Sequence, residues 1–472
     1  MKSWLKRSLC LLLAAACVGM AGCRPSEEPS GSSGPVSGAS SSSETEYTKG
    51  SAEVKLSGTF IQSWLCSAWS DERWEQELSM LKELGMEYIV LGDSAVKNTS
   101  GKWYSFYPSE LDGVKEGYGG VDVIDNALRN CQKYGFKVFV GVGLDEKWWD
   151  SFVKDPDWLY SAMEQSGKIA SEIYSNYHAK YADAFHGWYW PPEIWNSELF
   201  KSTSAVREES IRVLATGMSK IRDHLTGIDP SLPMMFSPFI SRSIGSAEDN
   251  YLFWRDLISQ VSFLEGDILC PMDSVGAGGC PVDYLDVWTA SYSRAVAETG
   301  KIRFWSNCED FDYSKGGEPI SCSMDRFSRQ MEIVAKYCET TITFAYSHYY
   351  SPYNTLEGFH NAYSYYLKNG ELEKEKPSAP GNVTLCSENG VVVLEWDASN
   401  DNLGVVGYNV YRNGELLENI CAKRGDNAVK VPEIDTVTTD WDAEEIDGSV
   451  VYGIAAFDAS GNESEVVTVT YR

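Results

Sequence analysis

Two short segments of the chain set a carboxylate among aromatic rings, Trp190-Pro-Pro-Glu193 and Trp305-Ser-Asn-Cys-Glu309. Hydrolysis of a glycosidic bond needs two carboxyl groups flanking that bond. One protonates the leaving oxygen, and the other attacks the anomeric carbon or activates water. Trp188, Tyr189, Trp190 and Trp195 collar Glu193. Such a collar penalises a charged carboxylate and suits an acid working near neutral pH. Pro191 and Pro192 cannot donate to a strand ladder, so the chain leaves its sheet there and presents Glu193 at a strand tip. In the second segment Arg303, Trp305, Asn307 and Glu309 share one parity and hence one strand face. Asn307 can orient a carboxylate, and Glu309 suits the nucleophile. Glu193 and Glu309 are therefore the catalytic candidates.

These residues need a scaffold that brings two distant strand ends together. Eight apolar runs recur between Gly58 and Gly370: Gly58–Trp64, Tyr88–Gly92, Lys137–Val142, His186–Trp190, Met234–Pro238, Asp267–Pro271, Ile302–Asn307 and Thr341–Tyr346. Their length and their β-branched and aromatic content predict strands. Helical spacing falls between them over Asp71–Leu84, Val121–Tyr134, Ser204–Leu225, Ala247–Leu264, Val282–Thr299 and Ser323–Cys338, with Gly85, Gly135 and Gly300 as stops. Alternating strand and helix predicts right-handed parallel crossovers, and eight units predict a closed (β/α)8 TIM barrel over 55–372. An open doubly wound sheet is the alternative, but no Gly-x-Gly-x-x-Gly follows the first strand. In a barrel, chemistry collects at the C-terminal strand tips. Gln62, Trp64, Asp93, Asp145, Trp148, Trp149, Trp188, Tyr189, Trp190, Asp273, Trp305, Asn307, Tyr346 and Tyr349 fall at or near such tips and are the candidate substrate-binding residues. Aromatic planes take the apolar face of a pyranose, and carboxylates and amides take its hydroxyls. The alternative for each ring is helix-to-barrel packing.

A formal charge of -28 argues against nucleic acid, which needs a basic stripe, and against polyanionic substrates; a neutral oligo- or polysaccharide is the expected partner. Only five histidines occur, and His-x-His does not end the first strand, so a metal-dependent hydrolase is disfavoured and neither metal nor cofactor is implied. Lys2, Lys6 and Arg7 precede an apolar run to Gly22, an export signal over 1–23 too short to be a membrane span. Met20-Ala21-Gly22-Cys23 resembles a lipobox with Met20 in place of the usual Leu, which implies lipidation of Cys23. A Ser/Gly-rich spacer over 24–54 then predicts a protein tethered to the bacterial envelope and facing outward. Nine cysteines remain in the mature chain, and Cys66, Cys270 and Cys308 fall near strand ends where a bridge could form.

From 377 to 472 the texture changes to short alternating strands. Val391-Val-Val-Leu-Glu-Trp396, Val406-Gly-Tyr408-Asn-Val-Tyr411 and Tyr452-Gly-Ile-Ala-Ala-Phe457 resemble bacterial fibronectin type III domains, implying a small all-β sandwich. The paired glutamates resemble the large retaining clan of glycoside hydrolases on eight-fold barrels, with acid/base on strand four and nucleophile on strand seven. That clan carries Asn directly before its acid/base, where this chain has Pro192. Gly58-Thr-Phe-Ile-Gln-Ser-Trp64, Gly187-Trp-Tyr-Trp-Pro-Pro-Glu193 and Cys270-Pro-Met-Asp-Ser-Val-Gly276 resemble the DUF4434 family over about 55–370. The resemblance implies a retaining glycoside hydrolase. The other reading is a lipoprotein that captures glycans without cleaving them.

Overall fold

The computed structural model describes residues 50–471 apart from 118–119, 197–203, 315–316, 389–390, 422–438 and 443–449. The segment read as an export signal, Cys23 and most of the predicted spacer lie outside the described residues.

Eight strands form the barrel: β1 (Gly58–Ile61), β2 (Tyr88–Leu91), β3 (Lys137–Gly141), β4 (Phe185–Trp190), β5 (Met234–Phe236), β6 (Ile268–Leu269), β7 (Arg303–Glu309) and β8 (Thr340–Phe344). All pair in parallel in chain order, and β1 meets β8 through Gly58↔Ile342 and Thr59↔Thr343 to close the ring. The main helices are α1 (Asp71–Glu83), α2 (Val123–Tyr134), α3 (Pro156–Ile173), α4 (Ser204–Ile228), α5 (Ala247–Gln260), α6 (Val282–Thr299), α7 (Met324–Val334) and α8 (Glu357–Asn369). Their starts are chemically marked. Ser70 accepts the Arg73 N–H, Asp122 accepts the Asp125 N–H, and Ser246 and Asp249 form a reciprocal capping box. Gly135 and Gly300 end their helices at φ 72° and 59°, where a side chain would be strained.

Two predicted strands run on into short helices. The carbonyl of Gln62 accepts the N–H groups of Leu65 and Cys66, so β1 gives way to a short helix, Ser63–Cys66. The strand predicted to reach Tyr346 stops at Phe344 for the same reason, with Tyr346–Tyr349 helical. Helices α3 and α8 were not predicted. Asp155-Pro156 starts α3, with the Asp155 side chain accepting the Trp158 N–H and Pro at the first turn. The N-cap of α8 is Leu356, which offers no such signal.

Alternation along the strands divides the core in two. Phe60, Val90, Phe139, Tyr189, Met235, Ile268, Cys270, Trp305 and Ile342 fill the barrel interior. The opposite faces, Trp188 and Trp190 among them, pack in the larger layer beneath the helices. Cys270 lies in the interior and Cys308 in the outer layer, so they point apart; Cys66, Cys270 and Cys308 are all buried free thiols rather than bridge partners.

The barrel begins earlier than residue 55. Gly50 donates to the carbonyl of Lys336, and Ser51 and Ala52 donate to that of Cys338. Lys336 and Cys338 lie between α7 and the start of β8, so the chain reaches the barrel at its N-terminal rim. On the opposite rim, Ala95–Lys97, Trp103–Ser105, Val114–Glu116 and Gly143–Asp145 assemble a small sheet beside the tips of β2 and β3.

The C-terminal strands are β9 (Gly381–Glu388), β10 (Val391–Asp397), β11 (Val405–Arg412), β12 (Glu415–Cys421), β13 (Thr439–Asp442), β14 (Val450–Asp458) and β15 (Val467–Tyr471). They form antiparallel sheets ordered β9-β10-β13 and β12-β11-β14-β15 over a core of Leu394, Trp396, Tyr408, Val410 and Ile454. The sandwich docks on the barrel. Met324 N–H at the start of α7 donates to Ala459, Asn361 of α8 donates to the carbonyl of Leu403, and Val406 and Ala459 join the barrel's hydrophobic layer.

Candidate active site

Glu193 stands three residues beyond β4, past the two prolines, and is half-buried. Trp148 Nε1 donates to its main-chain oxygen at 2.8 Å, and the Trp148 ring meets Trp190 edge-on at 5.4 Å. This fixes the backbone of the tip. The carboxyl itself accepts no hydrogen bond among the described residues. Burial, with the nearby charge of Asp93, pushes its pKa up to about 8. Asp93, at the tip of β2, is itself raised to about 7 by burial and by Glu146, which follows Asp145.

Glu309 ends β7 and is 2% exposed. Its parity is the predicted one: Trp305 lies in the barrel interior and Asn307 donates to Ser237 Oγ at 3.2 Å. Oε2 of Glu309 accepts the Ala277 N–H at 2.7 Å. Burial raises its pKa and Asp273 adds to the shift, while the Ala277 N–H and the Arg326 guanidinium oppose it and Glu193 contributes a further push upward. Both glutamates thus stand at strand tips on one rim, and Glu309 senses the charge of Glu193.

Asp273, past the end of β6, supports Glu309. Its Oδ1 accepts the N–H groups of Glu309 at 3.3 Å and Val275 at 3.1 Å. Its Oδ2 accepts Gln330 Nε2 at 2.5 Å, and the same nitrogen reaches the Glu309 carbonyl at 3.1 Å. With both oxygens engaged by protein donors, Asp273 is a brace rather than an attacking group. Asp310, the next residue, is wholly buried and pushed up to about 8 by burial. The hydroxyl of nearby Thr343 is spent on the carbonyl of Cys308, at 2.7 Å.

The other predicted binding residues separate into three groups. Gln62, Trp64, Asp93 and Trp149 remain partly accessible on the tip side of the barrel, Trp64 with its ring 5.4 Å from that of His348. Tyr189, Trp305 and Asn307 point into the barrel, Tyr189 and Asn307 below the mouth and Trp305 far from it, against Phe139 and against Tyr88 at the start of β2. Trp148, Trp188, Trp190, Tyr346 and Tyr349 are buried in the outer layer at 1% exposure or less and cannot face a sugar. Trp188 and Trp190 sit one residue either side of inward Tyr189, so the pleat turns them to the helices. Tyr346 is tied to His360 at 2.9 Å, and Tyr349 stacks on Phe311. Asp145 is consumed by Lys97 and Trp158, at 3.0 and 3.1 Å. Gln330, Arg326 and the Ala277 amide were missed. The first two sit on a helix whose pattern speaks only of packing, and a main-chain N–H leaves no mark in a sequence.

A match to the DUF4434 family, described as a domain of unknown function, covers residues 56–355. Among solved structures, a Bacteroides thetaiotaomicron VPI-5482 protein to which an alpha-L-fucosidase activity has been attributed superposes over 72% of this chain and 99% of its own. The TM-score is 0.53 at 21% identity, which shows a common fold. Amylopullulanases of Thermoanaerobacterium thermosulfurigenes and Thermoanaerobacterium saccharolyticum are each 39% identical, over 94 and 101 residues. Those stretches cover 19% and 20% of this chain but only 4% and 7% of the two enzymes, so the chain spans a small part of the curated relatives it matches. Because the family match takes in all eight barrel strands and both tip glutamates, the chain belongs to the DUF4434 family.

Proposed function

We propose that this protein is a retaining glycoside hydrolase acting on a neutral glycan, with Glu309 as nucleophile and Glu193 as acid/base. One observation carries the assignment: the two carboxyls at one mouth are held differently. Burial pushes both carboxyls up to about 8, but only Glu309 accepts a main-chain N–H, which works against that shift and favours its ionised form, whereas Glu193 has no donor among the described residues. Oε1 of Glu309 would attack the anomeric carbon while Glu193 delivers its proton to the leaving oxygen. Glu193 would then take a proton from the water that releases the glycosyl group. Asp93, close enough to raise Glu193, is our candidate for the sugar hydroxyl contact that Pro192 cannot make. The fold shared with the fucosidase-attributed barrel supports a carbohydrate substrate. We further read the N-terminal segment as a lipoprotein signal anchoring the protein outside the membrane through Cys23, and the C-terminal sandwich as fibronectin type III-like.

The deep burial of Glu309 favours a second reading, glycan capture without cleavage. Assay of the purified protein on a panel of aryl glycosides and polysaccharides separates the two. Turnover that disappears in Glu193→Gln and Glu309→Gln, with the anomer first released of the same configuration as the substrate by NMR, supports a retaining hydrolase. Binding without turnover in the unaltered protein supports capture.

A further inference from the structure

We propose that the turn from Ser274 to Cys280 is a positioning device for the nucleophile, in which Gly276 allows the Ala277 amide to clamp one oxygen of Glu309. The inference rests on reading Glu309 as the nucleophile. The turn is held on both sides. Towards β5, Ser274 Oγ accepts the Ile240 N–H at 3.0 Å, and the Arg242 N–H donates to the Gly279 carbonyl at 2.8 Å. Towards β7, the backbone of Gly276 lies so close that a Cβ there would stand 2.4 Å from the Phe311 carbonyl oxygen and 3.0 Å from Glu309 Cβ. Across the turn, Cys280 N–H closes onto the Ser274 carbonyl at 2.9 Å. The amide of Ala277 is thus fixed before any substrate arrives. A donor fixed in advance stabilises charge without reorganising, which is what gives oxyanion-type donors their value. Here the charge lies on the attacking carboxylate rather than on the substrate. The clamp engages Oε2, and no described residue donates to Oε1. It therefore both favours the ionised state against the burial that opposes it and leaves one oxygen to bond to the anomeric carbon.

Two measurements test this. In the full-length protein labelled with 15N-alanine, the Ala277 amide resonance should shift with pH along the acid limb of the activity profile. The shift should vanish in Glu309→Gln. The second is Gly276→Ala, whose methyl must push the turn off the Phe311 carbonyl. It should lower kcat/KM by about tenfold to a hundredfold, the value of a hydrogen bond to a charged group, move the acid limb upward and leave KM nearly unchanged. Gly266→Ala serves as control: its φ is +100° with no atom within 4 Å of a new Cβ, so it strains the backbone ahead of β6, outside the turn, and should leave the limb in place. An Ala277 resonance indifferent to pH overturns the proposal, whether or not Gly276→Ala folds. So does a folded Gly276→Ala protein with an unmoved limb. If Glu309→Gln keeps its turnover, the assignment of the nucleophile has failed. If that variant is inactive while the Ala277 resonance is flat, only the clamp has failed.

Discussion

The tips of β4 and β7 solve opposite problems with the same side chain. At β7 the glutamate is nearly sealed off, and its surroundings supply partners: Ala277 donates to its carboxylate, Gln330 donates to its carbonyl, and Asp273 accepts its N–H. At β4 the protein grips the backbone through Trp148 and leaves the half-buried carboxyl without a donor beside another acid, Asp93. Donors to a buried carboxyl favour its charged form, and their absence leaves burial unopposed. The two tips therefore differ in which atoms the scaffold holds, although burial pushes both carboxyls up to about 8.

The widest separation between the tips should come from removing each carboxyl. Glu309→Gln should abolish turnover on every substrate. Glu193→Gln should cost about 10²–10⁴ in kcat on poor leaving groups and far less on activated aryl glycosides, which need no proton. Equal losses on both leaving-group classes would erase the distinction. Next comes pH. Both groups are pushed up to about 8, so activity should rise with pH as Glu309 loses its proton and fall as Glu193 loses its own over a narrow, overlapping range well above the ordinary carboxylate value of about 4. A profile already flat by about pH 5 would contradict the burial of both groups.

Smaller effects resolve the supports. Gln330→Met keeps the volume but removes the donor shared by Asp273 and Glu309. It should cost about 1–3 kcal/mol in thermal or denaturant unfolding and lower kcat more than it raises KM. Asp310→Asn concerns stability alone. In the unfolded chain this carboxyl titrates near about 4, and in the fold burial pushes it up to about 8. The folded state thus holds the proton more tightly. Its stabilising contribution is complete below the unfolded value and is lost as pH rises through about 8. The variant should therefore raise the melting temperature at alkaline pH, and the gain should shrink on acidification. The smallest effect is reserved for the β4 side, where Trp148→Phe removes one hydrogen bond worth about 1 kcal/mol. It should disturb only the alkaline limb.

The barrel was legible because its signals are local and repeated. Eight apolar runs with helical spacing between them name the fold even where Gly58–Trp64 was drawn three residues too long. The positions of both glutamates were legible for the same reason, since Glu309 ends a strand and Glu193 follows one past two prolines. The aromatic collar was not. Trp188, Tyr189 and Trp190 are adjacent in sequence, yet the pleat sends only Tyr189 inward, and proximity along the chain was mistaken for proximity in space. Asp145 looked available until Lys97, 48 residues away, closed on it. Contacts of that kind belong to tertiary structure, and no window of sequence contains them.

The hydrogen bonds of Gly50, Ser51 and Ala52 to the rim below β8 put the first described residues at the floor of the barrel, whereas Glu193 and Glu309 stand at strand tips on the other rim. Sealing of the floor and the candidate chemistry thus use opposite ends of one ring, so the segment that closes the one can vary without touching a group at the other.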